Sequence, residues 1–172
     1  MCGLCGFLYK DPGRYGPVGR AMFDMLSPLD RRGTDSTGVA LYGPPDPASY
    51  VVRVRMEANG DTPRRVFDAL ADMGSVSEQS HTGPNLRARI GYGGDLGELA
   101  DGVERVPDTE VFSIGRSMEI VKDVGDASDV EAAAPYSGFD GSHAIGHTRM
   151  ATESLVDVAH SHPFWARPFA DI

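Results

Sequence analysis

Several features that mark particular protein classes are scarce in this chain. Its 172 residues include two cysteines, Cys2 and Cys5, so a secreted scaffold built on disulfides is excluded. A transmembrane helix needs an apolar run of about 18 residues, and no run in this chain is that long, so we expect no membrane span. No charged and apolar leader precedes Cys2, so we expect no secretory signal. Sixteen basic residues against 25 acidic ones give a net charge of -9, which argues against partners such as nucleic acid or anionic membranes. We therefore expect a cytoplasmic protein.

Length and composition favour a single domain of mixed secondary structure. Hydrophobic residues make up 41% of the chain and charged residues 24%, as in ordinary globular proteins. The 21 glycines and 12 prolines are many for a helical protein and indicate frequent turns. We predict an α+β fold in which strands dominate.

Apolar spacing and turn residues predict the individual elements. We expect strands at Leu4–Tyr9, Thr37–Tyr42, Tyr50–Met56, Leu86–Tyr92 and His143–Ala151, and a hairpin that joins Val111–Ile114 to Met118–Val121. We expect helices from Val18 to Leu29, from Pro63 to Met73 with Asp61 as its N-cap, and briefly at Asp95–Val103 and Asp129–Ala134. Residues 75–95 are polar, and we expect a loop there around the short strand.

Cys2 is the first candidate for chemistry. Removal of Met1 would leave Cys2 with a thiol and a free α-amine on one Cα atom. The ordinary pKa is about 8.5 for the thiol and about 7.7–8.0 for the amine, so the amine can take the thiol proton near neutral pH. One residue then provides both a nucleophile and its general base.

The spacing Cys2-x-x-Cys5 also fits other uses of cysteine. It is the spacing of a redox dithiol or of half a zinc site, although zinc needs two further ligands and no third cysteine exists. Among the histidines, only His143 and His147 have a suitable ligand spacing, and they lie in a predicted strand. Cys5 also fits a small buried core residue, which is the usual fate of a free cysteine.

Two further segments carry polar residues where a purely structural strand would not need them. Residues 32–38, Arg-Gly-Thr-Asp-Ser-Thr-Gly, lead into a strand, and residues 146–152, Gly-His-Thr-Arg-Met-Ala-Thr, follow from one. The second segment is followed by His160-Ser161-His162-Pro163. An arginine at a strand end, such as Arg149, suits bidentate binding of a carboxylate, but taken alone it could equally reach solvent.

In combination and order, these motifs resemble the glutaminase domain of class II glutamine amidotransferases. The sequences of the two segments are most similar to those of stand-alone amidotransferase subunits related to glutamate synthase, such as the subunit of methylglutamate synthase. The resemblance implies the N-terminal part of an N-terminal-nucleophile (Ntn) hydrolase αββα sandwich with antiparallel sheets, incomplete at its C-terminus. It also implies one partial domain over residues 1–172, with a variable insertion at about 75–140.

The resemblance implies roles for particular residues. Cys2 would attack the side-chain amide of L-glutamine, form a γ-glutamyl thioester and release ammonia. Arg149 would bind the α-carboxylate of glutamine, with Thr152 and His162 in the same pocket. Arg32 and Gly33 would order the site. Cys5 would stand where the family has a small aliphatic residue.

The resemblance also implies partners and raises alternatives. Ammonia would pass to a synthase subunit of glutamate-synthase type, and this domain itself would need no metal or organic cofactor. The chain reaches Ile172 before the Asn-Gly pair that forms the family's oxyanion hole. We therefore expect a truncated chain, with a split domain, a catalytically inactive binding or regulatory relative and a CxxC redox protein as alternatives.

Overall fold

The computed structural model describes residues 2–56, 60–151 and 155–172, in which we number eight strands and four α-helices. The strands are β1 (Gly3–Leu8), β2 (Ser36–Tyr42), β3 (Tyr50–Met56), β4 (Ser75–Thr82), β5 (Asn85–Gly91), β6 (Thr109–Gly115), β7 (Met118–Val124) and β8 (His143–Arg149). The helices are α1 (Val18–Leu26), α2 (Thr62–Met73), α3 (Leu96–Glu104) and α4 (Ala127–Ala133), and a 3₁₀ helix spans Ser27–Arg32.

The strands form two four-stranded antiparallel sheets, ordered β1-β8-β2-β7 and β4-β5-β3-β6. These sheets and the four helices confirm the predicted α+β class. The chain divides into two compact units, Met1–Pro44 with Ile120–Phe164 and Pro45–Glu119 with Trp165–Ile172. The region 75–140 contributes strands to both sheets. One partial domain with an insertion at 75–140 stays a prediction.

In the first unit, α1 covers one face of the sheet that contains β1 and β8. Val18, Met22 and Leu26 are fully buried and lie on one stripe of the helix, four residues apart. A Cβ atom on Gly146 would lie 2.7 Å from the terminal methyl carbon of Met22, so glycine lets the helix pack on the strand without displacing that side chain. The helix ends at Leu26 rather than at the predicted Leu29, because Pro28 follows and the chain continues as a 3₁₀ helix.

The opposite face of β1 and β8 is much more open. Alternate side chains of β1 are exposed, with Leu4 at 76% and Leu8 at 66% of their full accessibility, and Ile145 of β8 is exposed at 43%. In the sheet order, β1 is a terminal strand. This unit therefore presents an edge strand with large apolar side chains on its outer face.

In the second unit, α2 and α3 pack on alternate residues of the sheet. The buried cluster includes Val52, Val54, Leu86, Ala88, Ile90, Val66, Leu70, Leu99 and Val103. Trp165 and Ala170 pack against this cluster, so the aromatic tail contributes to the core although Phe169 remains exposed. Asp171 fixes the tail by accepting hydrogen bonds from the backbone N–H groups of Ser117 and Met118, at 2.8 and 2.7 Å.

Several local predictions are wrong for identifiable reasons. The loop expected at the start of 75–95 is the strand β4, whose side chains are mostly exposed and so show no apolar alternation. The predicted hairpin is also wrong, since β6 pairs with β3 whereas β7 belongs to the other sheet. The helix α2 forms as expected, but the Asp61 side chain makes no capping hydrogen bond.

Candidate active site

Strand register brings the chemically interesting motifs to one end of one sheet. The strand β8 lies between β1 and β2, with Gly3 opposite Thr148 and Ser36 opposite Arg149. The start of β1, the start of β2 and the end of β8 therefore meet. Cys2, the 32–38 segment and the 146–151 segment converge there, although they lie far apart in the sequence.

The two cysteines have different environments. Cys2 is exposed, and its thiol donates to the carbonyl oxygen of Met150 over a long distance of 4.0 Å. Cys5 is partly buried against the core below α1, and this burial raises the pKa of its thiol. Residues three apart in a strand point to opposite faces and are about 10 Å apart, beyond the about 7 Å limit for a disulfide. This geometry supports a packing role for Cys5 and disfavours a dithiol.

Arg149 is the last residue of β8 and carries a buried charge. Arg149 is only 7% exposed to solvent. Both terminal nitrogens donate to the carbonyl oxygen of Leu155, at 3.2 and 3.3 Å. The guanidinium is thus held in a fixed direction at the end of the strand.

His162 lies on the outer face of the same sheet, next to a second histidine. Its ring centroid is 4.9 Å from that of His147 and 4.6 Å from that of Phe164. Burial, followed by the neighbouring His162 and Arg149, lowers the pKa of His147 below its ordinary value. A cleft of about 460 Å³ opens here and is lined by Leu4, Ile145, Gly146, His147, His162, Pro163 and Phe164.

The turn before β2 packs directly on the chain that leaves β8. A Cβ atom on Gly33 would lie 2.4 Å from the carbonyl carbon of Arg149, so only glycine permits this contact. Arg32, the last residue of the 3₁₀ helix, is exposed. Asp35 donates its backbone N–H to the Arg149 carbonyl at 3.0 Å and accepts from the Ala151 N–H at 2.7 Å.

The structure thus gathers Cys2, Gly33, Arg149 and His162 in one unit, whereas Thr152 lies outside the described residues. Asp35 and His147 stand within the two polar motifs, but the sequence predicted no role for either in the site. Nor did it predict a role for Lys122, a buried lysine of β7 whose ammonium group lies 4.7 Å from the Phe164 ring centroid. The signal in the sequence was a lysine directly after the apolar pair Ile120-Val121.

Two negative findings apply to the part of the chain that the structure describes. Within residues 2–56, 60–151 and 155–172, no group of three or more histidine, cysteine or acidic side chains could hold a metal ion. In the same residues, every helix is too short or too polar to cross a membrane.

The sequence is similar to glutamine amidotransferase-like proteins. It is 34% identical over 183 aligned positions to a protein of Methanothermobacter thermautotrophicus named "Putative glutamine amidotransferase", an alignment that covers 100% of this chain and 59% of the relative. It is also 34% identical over 173 positions to "Glutamine amidotransferase-like protein GlxB" of Rhizobium meliloti, covering 95% of this chain and 54% of the relative.

These similarities extend over nearly the whole chain, including residues 75–140. The chain spans a little over half the length of the two relatives. No family model matches the sequence.

Proposed function

We propose that this chain carries the nucleophile and part of the substrate pocket of a class II glutamine amidotransferase. The Cys2 thiolate attacks the side-chain amide carbon of L-glutamine, and the C–N bond breaks to give a γ-glutamyl thioester and ammonia. Water then attacks the thioester and releases glutamate and the thiol. The observation that carries the proposal is the register of β8 between β1 and β2, which brings an exposed Cys2 beside the strand end of Arg149.

The α-amine of Cys2 accepts and donates the protons in this reaction. Once Met1 is removed, the amine takes the thiol proton and then donates it to the leaving ammonia. The reaction therefore depends on a processed N-terminus.

The substrate pocket uses the charge at the end of β8. Arg149 is buried and oriented, so it can pair with the α-carboxylate of glutamine at a lower entropic cost than a mobile surface arginine. His162 and the cleft beside it form the neighbouring wall of the substrate pocket. Thr152 is assigned to the same pocket by the resemblance to the family. Gly33 and Arg32 belong to the turn that orders this end of the sheet.

The released ammonia is useful to an acceptor only when it is shielded from water and protonation. We propose a synthase partner of glutamate-synthase type that docks on this chain and receives the ammonia. The hydrolysis itself needs no metal or organic cofactor, and flavin or iron–sulfur groups would belong to the partner. The hydrolysis is assayed on the protein together with the synthase partner.

The experiment measures ammonia and glutamate release from glutamine by three variants. We expect Cys2→Ala to lower kcat by at least about 10³-fold, whereas Cys5→Ala, the matched control, retains activity because Cys5 only packs. Cys2→Ser is expected to be almost inactive, since a hydroxyl is far less acidic than a thiol. Activity that survives Cys2→Ala, or an intact mass that still includes Met1 in active protein, would contradict the proposal.

A further inference from the structure

Asp35 holds the chain that leaves β8 at two points. Its backbone N–H donates to the carbonyl oxygen of Arg149 at 3.0 Å. Its side-chain Oδ2 accepts from the backbone N–H of Ala151 at 2.7 Å. The two bonds lie on either side of Met150, so one residue fixes both ends of a three-residue segment.

Asp35 is itself fixed from a third direction. Its carbonyl oxygen accepts from the N–H of Gly125 at 3.0 Å, and the carbonyl of Gly125 accepts from the Thr37 hydroxyl at 3.0 Å. Gly125 has a φ of 100°, in the region that favours glycine, and forms the turn between β7 and α4. The carboxylate therefore projects from a supported backbone and does not depend on a mobile loop.

The segment 149–151 contains one proposed participant in the reaction and contacts the other. Arg149, at its first residue, is the proposed carboxylate-binding group. The carbonyl oxygen of Met150, at its centre, lies 4.0 Å from the Cys2 sulfur. Moving this segment would change the position of the arginine relative to the nucleophile.

We infer that Asp35 is a positioning residue of the glutamine site, which sets the distance between Cys2 and Arg149 by clasping the 149–151 segment. The inference rests on the proposed function, because it assigns Asp35 a purpose in that reaction. A carboxylate suits the task, since a charged acceptor makes a shorter and stronger bond to a backbone N–H than a neutral one. Asparagine would keep an acceptor oxygen without the charge, and alanine would remove both.

The kinetic test uses Asp35→Ala and Asp35→Asn in the complete protein with its partner. We expect Asp35→Ala to raise the KM for glutamine about tenfold, with a smaller change in kcat, because a charge-assisted hydrogen bond is lost at the carboxylate-binding end. Asp35→Asn should fall between Asp35→Ala and the native protein. The matched control is Asp95→Ala, which removes a carboxylate that accepts from the Glu98 N–H at the start of α3 in the other unit. It should lower thermal stability without raising KM.

A second measurement separates this inference from the proposed function. Hydrogen exchange of the Ala151 amide should become at least about tenfold faster in Asp35→Ala, and less so in Asp35→Asn, while amides in the centre of β8 keep their protection. This readout needs no enzymatic activity, so it tests the clasp even if the Cys2 variants disprove glutamine hydrolysis. Unchanged exchange at Ala151, or a KM in Asp35→Ala equal to that in Asp95→Ala, would overturn the inference. If Asp35→Ala does not fold, the same comparison is made with Asp35→Asn.

Discussion

Lys122 donates a hydrogen bond from its ammonium group to the carbonyl oxygen of Ser161 at 3.1 Å, although both residues are almost completely buried. This contact ties β7 to the segment that carries His162. A buried lysine is costly unless its charge is well solvated by protein groups, so its presence indicates a structural purpose.

The first prediction concerns this lysine. Lys122→Met should lower the free energy of unfolding by about 1–2 kcal/mol, because the Ser161 carbonyl loses a charged donor in a buried environment. Urea denaturation measures the loss, and limited proteolysis should show faster cleavage near residues 160–164. The matched control is Lys10→Met, which changes the other lysine of the chain at an exposed position. Equal stabilities of the two variants would contradict the prediction.

A buried ion pair in the second unit predicts a dependence of stability on pH. The Glu119 carboxylate accepts from the Nε atoms of Arg53 and Arg87, at 2.7 and 2.9 Å. Burial alone would raise the pKa of Glu119, but the charge of Arg53 and the hydrogen bonds of Arg87 outweigh it and hold the pKa below the ordinary 4.5. The folded state therefore binds the proton less tightly than the unfolded state. This stabilisation is complete above about pH 4.5 and is lost as the pH falls through the lowered pKa.

The test of this pair is Glu119→Gln. We expect a loss of about 3 kcal/mol at pH 7, because the mostly buried Arg53 loses its carboxylate and Arg87 keeps only the exposed Glu78. The difference from the native protein should be smaller near pH 3. Urea unfolding at both pH values provides the measurement. Asp68→Asn, which neutralises an exposed ion pair with Arg64, should change stability by less than about 1 kcal/mol. A constant difference between native and Glu119→Gln proteins at the two pH values would exclude the assigned linkage.

Replacing Gly33 by a larger residue should cause a steric clash but no backbone strain. Its φ of 178° is available to any residue, so the reason for glycine is the 2.4 Å approach of a Cβ atom to the Arg149 carbonyl carbon. Gly33→Ala should destabilise the protein by about 1–3 kcal/mol and displace the end of β8. Gly138→Ala, where a Cβ atom meets nothing within 4 Å, should have little effect. Thermal unfolding compares the two variants, and similar melting temperatures would argue against the contact.

The two thiols should react at different rates. Cys2 is exposed, whereas burial raises the pKa of the Cys5 thiol and shields it. At pH 7.5 we expect iodoacetamide to modify Cys2 at least about tenfold faster than Cys5 in the folded protein, because the thiolate is the reactive form. Peptide mass spectrometry after short exposure measures both positions. In urea the difference should disappear, which distinguishes the effect of folding from that of neighbouring sequence.

The parts of the fold that alternate or repeat were predictable from the sequence. The strands β1, β3, β5 and β8 and the helix α2 lie close to their predicted positions because each has one face more buried than the other. The strand β2 was predictable for another reason, since it is a short, almost fully buried run of mainly apolar residues. The strand β4 was missed because its residues, Ser75–Thr82, are largely exposed and show no apolar period. The separation of β6 and β7 into different sheets depends on long-range pairing of β6 with β3, which the two residues between them do not encode.

The candidate site was predictable in its residues but not in its geometry. Cys2, Arg149 and His162 stand within recognisable motifs, so the chemistry of the side chains was readable from the sequence. The positions of Asp35 and Lys122 depend on strands that meet only after folding, because their partners lie 116 and 39 residues away. No local pattern records such distances.

The edge position of β1 has a consequence for handling the protein. Leu4 and Leu8 project from the outer face of β1, which is a terminal strand among the residues that the structure describes. A terminal strand can pair with a strand from another molecule. Purified chain should therefore self-associate as its concentration rises, through the strand that directly follows Cys2. A charged residue in place of Leu8 would disfavour such strand pairing. A purification tag belongs at the C-terminus, since an N-terminal tag would both extend this edge and block the α-amine.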